Sequence, residues 1–489
     1  MSTHYGAVVI GSGQGGTPLS MAFAQAKHKT ALIESWHVGG CCVNEGCTPT
    51  KTMIASGRVA YLARRGPDYG VRCGSGSVGD GATNDVQVAM QKVRQRKRDI
   101  VDSFRAGSER RVREAGVELI RGSARFEDER TIRVRGNDGA ETTLTADRIF
   151  ICTGDRPATP KVGGFDAASF PPSTILDSTS IQELGVVPSH LVVVGGGYIG
   201  LEFGQLFRRL GSAVTILQRG TQLLPLEDAE VAEAILNVLR EDGVKVLLKA
   251  TPANVRATGH TNSATAVAVA VSGSGSGGSG PSELLASHVL FAAGRVPNTD
   301  SLNLGAAGIE TTARGHVAVD PQLRTSNPRV WALGDVKGGP AFTHVSYDDF
   351  RLLRANLLEQ DANVAPLTTV GRILPYVVYT DPQLGHVGLH EHEARTEFPG
   401  RKIQVASMPM AYVARALETD EPRGLMKAVV DVESQQILGF TCLGLEGGEI
   451  MSVVQMAMVG RVKWTALRDA VWAHPSLAES LNNLWGFLK

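Results

Sequence analysis

The chain has 489 residues, and at roughly 150 residues per domain this length suggests about three domains. Its 49 basic and 49 acidic residues give no net charge, which argues against a nucleic-acid-binding protein. The 56 glycines exceed the roughly 34 expected at average usage, and this composition is typical of an α/β protein with many tight turns. We find neither a signal peptide nor an apolar run of about 20 residues, so we expect a cytoplasmic protein that does not enter a membrane.

The amino-terminal segment has the pattern of a nucleotide-binding βαβ unit. An apolar run at 7–10 predicts a buried strand, 19–26 a helix, and 29–33 a second strand that ends at Glu34. A G-x-G-x-x-G sequence lies between the first strand and the helix and consists of Gly11, Gly13 and Gly16. These glycines let a pyrophosphate approach the helix amino terminus, and we expect Glu34 to bind ribose hydroxyls.

The same pattern returns far downstream, so the chain is expected to bind two dinucleotides. A strand at 191–194 leads to a helix through Leu210 and a strand at 213–217. The glycines of this second unit are Gly195, Gly197 and Gly200. Its ribose position holds the neutral Gln218, followed by Arg219, which favours NADPH because an arginine can pair with the 2′-phosphate. The alternative is that Arg219 is only a solvated charge at the strand end.

Three of the six cysteines, Cys41, Cys42 and Cys47, fall within seven residues. Residues five apart in a regular helix are roughly 8–9 Å apart, whereas a disulfide needs Cα atoms within about 7 Å. Cys42 and Cys47 can therefore pair only across a distorted turn, which Gly46 allows. Such a bridge would be labile and catalytic, and a helix amino terminus would lower a thiol pKa. Two unreactive buried thiols are the alternative, since C-x4-C without a second ligand pair matches no usual zinc spacing.

Two further features carry weaker signals. Residues 91–115 are highly charged with periodic apolar positions, which predicts an amphipathic helix. His386, His390 and His392 have a spacing that metal sites also use, but we expect them at the exposed start of a helix. The sequence therefore predicts no metal site.

The segment GGCCVNEGCTPTK, residues 39–51, resembles the redox signature of the FAD-dependent pyridine nucleotide–disulfide oxidoreductases. The resemblance extends over the whole chain. ICTGDRP at 151–157 and AAGRVPN at 292–298 resemble the crossovers between the FAD and NAD(P)H domains. TSNPRVWALGD at 325–335 is similar to the second FAD motif, and HPSLAE at 474–479 to the carboxy-terminal H-P-T-x-x-E.

The resemblance implies an α/β fold with two Rossmann-like dinucleotide-binding domains and a carboxy-terminal α+β dimerisation domain. The expected bounds are 1–152 and 293–350 for the two parts of the FAD domain, 153–292 for the NAD(P)H domain, and 351–489 for the dimerisation domain. It also implies a homodimer.

The resemblance assigns the catalytic roles. Cys42 would be the interchange thiol that attacks the substrate, and Cys47 the thiol beside the flavin. Lys51 and Glu202 resemble the ion pair next to the flavin, and Tyr198 resembles the aromatic gate of the nicotinamide pocket.

A histidine supplied by the other subunit would complete the site. His474 would be the acid–base partner of Cys42, and Glu479 would orient it. Taken without its motif, His474 would be a surface histidine.

The cofactors implied are FAD and NADPH, with NADH as a weaker possibility. The residues expected to bind FAD are Gly11, Gly13, Gly16, Glu34, Lys51, Thr153, Gly154 and Asp335. Those expected to bind NADPH are Gly195, Gly197, Tyr198, Gly200, Gln218, Arg219 and Gly294.

The expected function is transfer of electrons from NADPH through FAD to the Cys42–Cys47 disulfide, and then to a small oxidant or soft metal ion. Some segments resemble mercuric reductases, whereas others resemble reactive-chlorine-resistance flavoproteins that act on hypothiocyanite-type oxidants and cupric ion. The chain lacks the carboxy-terminal vicinal cysteines of mercuric reductases, since Cys442 is its last cysteine. A vicinal Cys41–Cys42 pair could bind a soft metal, or Cys41 could simply be a small packed residue. The alternatives are an NAD-linked dihydrolipoamide dehydrogenase and a flavoprotein assembly subunit with a vestigial site.

Overall fold

The computed structural model describes residues 2–72, 86–258, 266–273, 283–361 and 363–489. The chain divides into two compact units. Unit 1 contains Met1–Thr52, Gln95–Thr159 and Gly294–Arg372, and unit 2 contains Met53–Arg94, Pro160–Ala293 and Ile373–Lys489. The helices are α1 (Gly16–Gln25), α2 (Gly40–Asn44), α3 (Cys47–Arg64), α4 (Met90–Glu114), α5 (Tyr198–Leu210), α6 (Ala229–Glu241), α7 (Thr343–Leu358), α8 (Glu391–Glu397), α9 (Ala414–Glu418), α10 (Gly447–Val459), α11 (Trp464–Asp469) and α12 (Ser480–Asn483).

Unit 1 is built on a six-stranded sheet whose central strands are parallel. Its strands are β1 (Thr3–Ile10), β2 (Thr30–Glu34), β3 (Glu118–Phe126), β4 (Thr131–Gly136), β5 (Glu141–Ile151) and β16 (Val330–Ala332). In β1, Val9 lies opposite Leu32 of β2 and Phe150 of β5, and β16 pairs with β5 in parallel. The carboxyl ends of β1, β5 and β16 therefore meet at one edge of the sheet, where α/β folds bind nucleotides. A two-stranded ribbon of β6 (Asp155–Pro157) and β15 (Arg295–Pro297) follows that edge.

Unit 2 contains a second parallel sheet with the order β10-β9-β8-β14-β7. Its strands are β7 (Ile175–Leu176), β8 (His190–Val194), β9 (Ala213–Gln218), β10 (Lys245–Leu248) and β14 (His288–Phe291). Helix α5 connects β8 to β9, which makes the second predicted βαβ unit. A three-stranded antiparallel sheet follows, formed by β11 (Thr251–Ala257), β12 (Val267–Ser272) and β13 (Glu283–Ala286).

The carboxy-terminal part of unit 2 is an antiparallel sheet with the order β17-β18-β21-β20-β19. Its strands are β17 (Pro375–Val378), β18 (Gln383–Gly388), β19 (Ile403–Pro409), β20 (Leu425–Asp431) and β21 (Ile437–Gly444). Buried side chains of α10, such as Met451 and Val454, pack with Phe440 of β21 in one hydrophobic core. Together with the two parallel sheets, this confirms the predicted α/β class with a separate carboxy-terminal α+β part.

A buried ion cluster stabilises unit 2. Asp381 accepts hydrogen bonds from Arg58, at 2.5 Å, and from Arg209. Asp242 is a second acid within 3.4 Å of Arg209, and the guanidinium carbon of Arg209 lies 3.8 Å from the centre of the Tyr61 ring. Although burial opposes it, the charges of Arg209 and Arg58 lower the pKa of Asp381. Asp381 is therefore the anion that neutralises two arginines with little access to water.

The predicted elements agree closely with the structure. The predicted amphipathic helix at 91–115 is α4. The first helix begins at Gly16 rather than at 19, because the last glycine of the fingerprint is already its first residue. Among the described residues, no helix has both the length and the apolar character needed to cross a membrane.

The prediction for the three histidines was wrong in two cases. His386 lies on β18, an inner strand of its sheet, and is only 2% exposed. His390 immediately precedes α8 and is 5% exposed, so only His392 lies on the surface. Burial lowers the pKa of His386 to about 3, which keeps its imidazole neutral. The prediction failed because the polar residues at the end of β18 and in the turn after it have the same local sequence pattern as the start of an exposed helix.

Candidate active site

The two cysteines of the predicted redox pair lie on successive helices of unit 1. Cys42 is in α2 and Cys47 is the first residue of α3, so the helix is interrupted between them. A Cβ atom on Gly46 would lie 2.9 Å from the Cys41 carbonyl oxygen, so the interruption requires glycine. The two cysteines are thiols that hydrogen-bond to each other, and Cys47 Sγ lies 3.4 Å from Thr343 Oγ1. The expected distortion of the turn is therefore present.

The two thiols have different electrostatic surroundings. The hydrogen bond with Cys47 and burial raise the pKa of the Cys42 thiol. This differs from the expectation that a helix amino terminus lowers a thiol pKa, because the Cys47 thiol and burial outweigh any effect of the five-residue helix α2. Cys47 begins the 18-residue α3, where unpaired backbone N–H groups favour a thiolate. Cys47 is therefore the position better suited to negative charge.

Cys41 lies beside a buried ion pair. Arg295 Nη2 is 3.6 Å from Cys41 Sγ, and the same guanidinium contacts Asp155 at 2.9 Å. Burial raises the pKa of Cys41 to about 12 despite the nearby positive charge. At neutral pH this third thiol is protonated, so it is a poor nucleophile.

The first glycine loop fits a pyrophosphate. Gly11 has φ +99°, and a Cβ atom there would lie 2.4 Å from the Cys152 carbonyl oxygen. A Cβ atom on Gly16 would lie 2.1 Å from the Gly11 carbonyl oxygen, so the loop folds tightly onto the start of α1. At Gly13 the nearest atom would be 3.9 Å away, which leaves open space over the loop. Tight packing on one side and open space on the other is the arrangement that a phosphate group needs.

Glu34 accepts three hydrogen bonds, two of them from the first glycine loop. Its Oε2 accepts the backbone N–H of Ser12 at 3.1 Å and the Ser12 hydroxyl at 2.6 Å, and its Oε1 accepts the N–H of Trp36 at 2.8 Å. A carboxylate has about four lone pairs, so one remains on Oε1 for a ligand hydroxyl.

Asp335 supplies the clearest test of whether FAD fits unit 1. It begins a short turn after β16, and burial together with the negative charge of Asp155 raises its pKa to about 6. Its Oδ1 is buried without a hydrogen-bond partner among the described residues. A buried oxygen of this kind requires a donor. A hydroxyl group of FAD, which Asp335 is predicted to bind, would provide one.

The two crossover segments next to the carboxyl edge of the unit 1 sheet are joined by a pair of reciprocal hydrogen bonds. Thr153 Oγ1 donates to the Asn298 carbonyl oxygen at 2.9 Å, and Asn298 Nδ2 donates back to the Thr153 carbonyl oxygen at 2.9 Å. Gly154 has φ +65°, and a Cβ atom there would meet nothing within 4 Å, so the turn is open on that side. Gly294, φ +148°, accepts the N–H of Ala158 at 3.1 Å and belongs to unit 1.

The second glycine loop repeats this geometry in unit 2. A Cβ atom on Gly195 would lie 2.6 Å from the Ala292 carbonyl oxygen, and one on Gly200 would lie 2.1 Å from the Gly195 carbonyl oxygen. Gly197 has no atom within 4 Å of that position, and α5 begins at the next residue, Tyr198. The residues present therefore fit a second dinucleotide.

The ribose end of the second loop differs from the first by one functional group. Gln218 Oε1 accepts the N–H of Gly196 at 3.3 Å, as Glu34 accepts that of Ser12. Its Nε2 donates to the Gln222 carbonyl oxygen at 2.8 Å. Arg219 follows on the surface and forms no ion pair within the described part of the chain. The strand end thus carries an available cation and no carboxylate.

The remaining predicted residues lie as follows. Lys51 is half-buried in α3, one turn after Cys47, in unit 1. Glu202 is buried in α5 of unit 2, where its Oε1 accepts the N–H of Tyr379 at 2.9 Å.

His474 and Glu479 form a pair in unit 2. His474 Nδ1 lies 2.9 Å from Glu479 Oε2, and because a carboxylate only accepts, Nδ1 donates the proton. This leaves the Nε2 lone pair available for proton transfer. The His474 side chain is 73% exposed in the single chain, whereas that of Glu479 is 18% exposed.

Sequence reasoning missed Thr343, Asp155 and the role of Arg295. Thr343 is 296 residues from Cys47, and Arg295 is 140 residues from Asp155. Asp155 lies in the crossover motif TGDRP, and Arg295 lies in the return crossover motif AGRVPN. An acidic and a basic residue in these two paired crossovers were the available signal for the ion pair.

Comparison with known families gives a consistent result. Residues 5–349 match the family described as "Pyridine nucleotide-disulphide oxidoreductase", and residues 374–484 match its dimerisation domain. Between them, the two matches cover most of the chain.

Individual relatives match over almost the full chain. The "Probable pyridine nucleotide-disulfide oxidoreductase RclA" of Escherichia coli (strain K12) is 34% identical over 490 residues, which cover 99% of each chain. The "Mercuric reductase" of Bacillus cereus is 33% identical over 484 residues, covering 98% of this chain and 70% of the relative. A solved structure described as a Cu(II) complex of the HOCl-induced flavoprotein disulfide reductase RclA from Escherichia coli matches with a TM-score of 0.85 at 33% identity, covering 100% of both chains.

Proposed function

The chain belongs to the pyridine nucleotide–disulphide oxidoreductases, and we propose that within this family it is an NADPH-dependent reductase of a small oxidant or soft metal ion. The observation that carries the proposal is the Cys42–Cys47 dithiol, held next to Thr343 in the unit that fits FAD. The family is FAD-dependent and uses a pyridine nucleotide. FAD would relay a hydride from NADPH to the Cys42–Cys47 disulfide, and the other steps depend on residues of this chain.

Reduction of the disulfide by two electrons and one proton gives the Cys42 thiol and the Cys47 thiolate. Cys47, at the amino terminus of α3, is proposed to keep the thiolate, while Cys42 attacks the acceptor. Proton transfer at Cys42 needs a base, because its pKa is raised in the dithiol. His474 is proposed to accept and return this proton at Nε2, since Glu479 holds the proton on Nδ1. As the disulfide re-forms, the two electrons leave with one acceptor that takes two electrons, such as mercuric ion or hypothiocyanite, or with two cupric ions.

We propose that the working form is a homodimer in which each site uses His474 of the other subunit. The match to a dimerisation domain over residues 374–484 supports this, as does the exposure of His474 in the single chain. The domain bounds 1–152, 153–292, 293–350 and 351–489 belong to the same proposal.

The acceptor is proposed to be a small oxidant or a soft metal ion. The names of two relatives, a mercuric reductase and an HOCl-induced flavoprotein disulfide reductase solved with Cu(II), support this class. A screen of NADPH consumption with mercuric ion, cupric ion, hypothiocyanite, lipoamide, glutathione disulfide and oxygen tests it. The proposal requires the highest kcat/KM for one of the first three; the highest value for lipoamide with NAD⁺ preference would instead indicate a dihydrolipoamide dehydrogenase.

We expect NADPH to be preferred over NADH by at least about tenfold in kcat/KM, equivalent to about 1.4 kcal/mol of differential binding. The reason is the cation at Arg219 beside the neutral Gln218. Arg219→Ala should lower kcat/KM for NADPH at least about tenfold and leave NADH nearly unchanged, as measured by steady-state kinetics with both cofactors.

Lys245→Ala is the matched control for Arg219→Ala. Lys245 is an exposed cation at the amino end of β10, the end opposite to the one where nucleotides bind. The Lys245→Ala substitution removes the same charge as Arg219→Ala and should change kcat/KM for neither NADPH nor NADH. Equal loss in both variants would indicate a general effect of charge, and equal use of NADH and NADPH by the unmodified enzyme would contradict the assignment.

The proposed coupling of the dithiol to FAD predicts a spectroscopic signature. Anaerobic titration with dithionite should produce a long-wavelength absorption band after two electrons, caused by the Cys47 thiolate next to oxidised FAD. Cys47→Ser should lack the band, whereas Cys152→Ser, at a buried cysteine outside the redox pair, should keep it. Direct bleaching of the flavin without such a band would contradict the coupling.

A further inference from the structure

A buried cluster of one carboxyl and two imidazole groups lies in unit 2, apart from every residue assigned above. This carboxyl–imidazole cluster consists of Glu227, His386 and His390. Glu227 lies just before α6, His386 on β18 and His390 just before α8. One ligand atom from each residue lies within 4.8 Å of the other two, and all three side chains are buried.

Two atoms of the cluster lie near each other and lack a hydrogen bond. Glu227 Oε2 and His390 Nδ1 are buried, have no hydrogen-bond partner among the described residues, and lie 4.0 Å apart. This separation is too long for a hydrogen bond. His390 also forms a capping box with Glu393, whose carboxylate accepts the His390 N–H at 2.9 Å. The reverse contact, from the Glu393 backbone N–H to the His390 side chain, does not satisfy the geometry of a hydrogen bond at Nδ1.

Tyr376 connects Glu227 with the ring of His390. Its hydroxyl donates to Glu227 Oε1, and its oxygen lies 3.3 Å from His390 Nε2, a contact that suits the His390 tautomer with the proton on Nε2. In that tautomer His390 Nδ1 carries a lone pair, 4.0 Å from Glu227 Oε2. A cation between the carboxylate and the ring nitrogen would compensate both buried atoms.

The basic side chains do not supply that charge. Lys427 is surrounded by three other acids, Asp228, Glu230 and Glu391, at 2.7–3.0 Å. Within the described ranges, no lysine or arginine lies within ion-pair distance of Glu227.

We propose that the carboxyl–imidazole cluster binds one divalent transition-metal ion, with Glu227 Oε2 and His390 Nδ1 as its first two ligands. Zinc bonds to carboxylate oxygen and imidazole nitrogen are about 2.0–2.2 Å long, so an ion between atoms 4.0 Å apart reaches both. The mixed oxygen and nitrogen set selects zinc and its first-row neighbours over Ca²⁺ and Mg²⁺, which prefer oxygen ligands alone.

His386 is the third ligand, and binding requires its ring to turn. The ring stacks on His390 with centres 3.9 Å apart, and its nitrogens contact Thr441 Oγ1 at 2.8 Å and the Gly388 carbonyl oxygen at 3.1 Å. Turning the ring about Cβ–Cγ gives up the present contacts of both nitrogens, and one nitrogen then binds the metal. Water completes a four-coordinate site. The ion would then fasten the segment before α6 to β18 and α8.

Isothermal titration with ZnCl₂ tests the proposal on the FAD-loaded full chain after dialysis against EDTA. The parent protein should carry Cys41→Ser, Cys42→Ser and Cys47→Ser, because thiols of the redox site also bind zinc. We expect one zinc per chain in this parent. Glu227→Gln and, independently, His390→Gln should each weaken that binding at least about 100-fold.

The matched control is His392→Gln, since His392 is exposed and only two residues from His390. It should bind zinc as the parent does. Circular dichroism identifies a variant that fails to fold. If Glu227→Gln or His390→Gln fails to fold, zinc binding by the other of these two variants tests the proposal. Absence of zinc binding in the parent would overturn the proposal, and so would unchanged binding in a folded Glu227→Gln or His390→Gln variant, or equal loss in His392→Gln.

Discussion

Replacing His474 by alanine is expected to slow reduction of a disulfide acceptor by about 10²–10⁴-fold, the usual contribution of a positioned proton-transfer group. The reduction of FAD by NADPH should remain nearly unchanged, because His474 is proposed to act only at Cys42. Stopped-flow measurements separate the two half-reactions. His4→Ala, which removes an exposed histidine from unit 1, should leave both rates unchanged.

The same substitution tests whether the site is shared between subunits. A heterodimer with Cys42→Ser in one chain and His474→Ala in the other keeps one complete site if the residues come from different subunits. Such dimers can be purified with two affinity tags, and about half of the wild-type activity is expected. An inactive heterodimer would place Cys42 and His474 of the same subunit in one site, and a His474→Ala enzyme with normal turnover would remove the residue from the mechanism.

Asp381→Asn is expected to lower the free energy of unfolding by about 3 kcal/mol, the low end for removal of one partner from a buried ion pair. The variant leaves Arg209, whose side chain is only 6% exposed, and Arg58 without their shared anion, although Asp242 and Glu421 remain nearby. The pKa of Asp381 is lowered in the folded protein, so its stabilising contribution is complete above the ordinary value of 3.8. The difference between variant and wild type should therefore be constant near neutral pH and shrink as the pH falls below that value.

Pulse proteolysis in urea on the FAD-loaded protein measures this change. Asp469→Asn is the matched control, because Asp469 pairs with Arg468 on the surface, where an ion pair contributes about 0–1 kcal/mol. Equal urea midpoints for the two variants would show that the buried ion cluster does not stabilise unit 2.

The parts of the fold that the sequence predicted are those in which neighbours in space are also neighbours in the chain. A glycine loop, the strand before it and the helix after it form one continuous segment, so both βαβ units could be recognised from Gly11 and Gly195 onward. The interrupted helix at the redox pair was likewise predictable, because Gly46 lies between the two cysteines.

The remaining parts depend on contacts between distant segments. Thr343 reaches Cys47 only because α7 follows β16, which itself pairs with β5. The burial of His386 depends on the position of β18 between β17 and β21, and no local pattern encodes a strand's place in its sheet. Charge and polarity therefore predicted an exposed helix where the fold has an inner strand.

The side chain of Gln218 also restricts how the proposed preference for NADPH could change during evolution. Glutamine and glutamate codons differ by one base, so a carboxylate at this position is a single mutation away. It would still accept the Gly196 N–H, but its second oxygen would face the Gln222 carbonyl oxygen, now 2.8 Å from an amide donor. Two acceptors in contact, one buried and the other partly buried, cost about 1–3 kcal/mol. A Gln218→Glu change toward NADH use would therefore destabilise the protein, unless further substitutions at 219–222 changed the conformation of that loop.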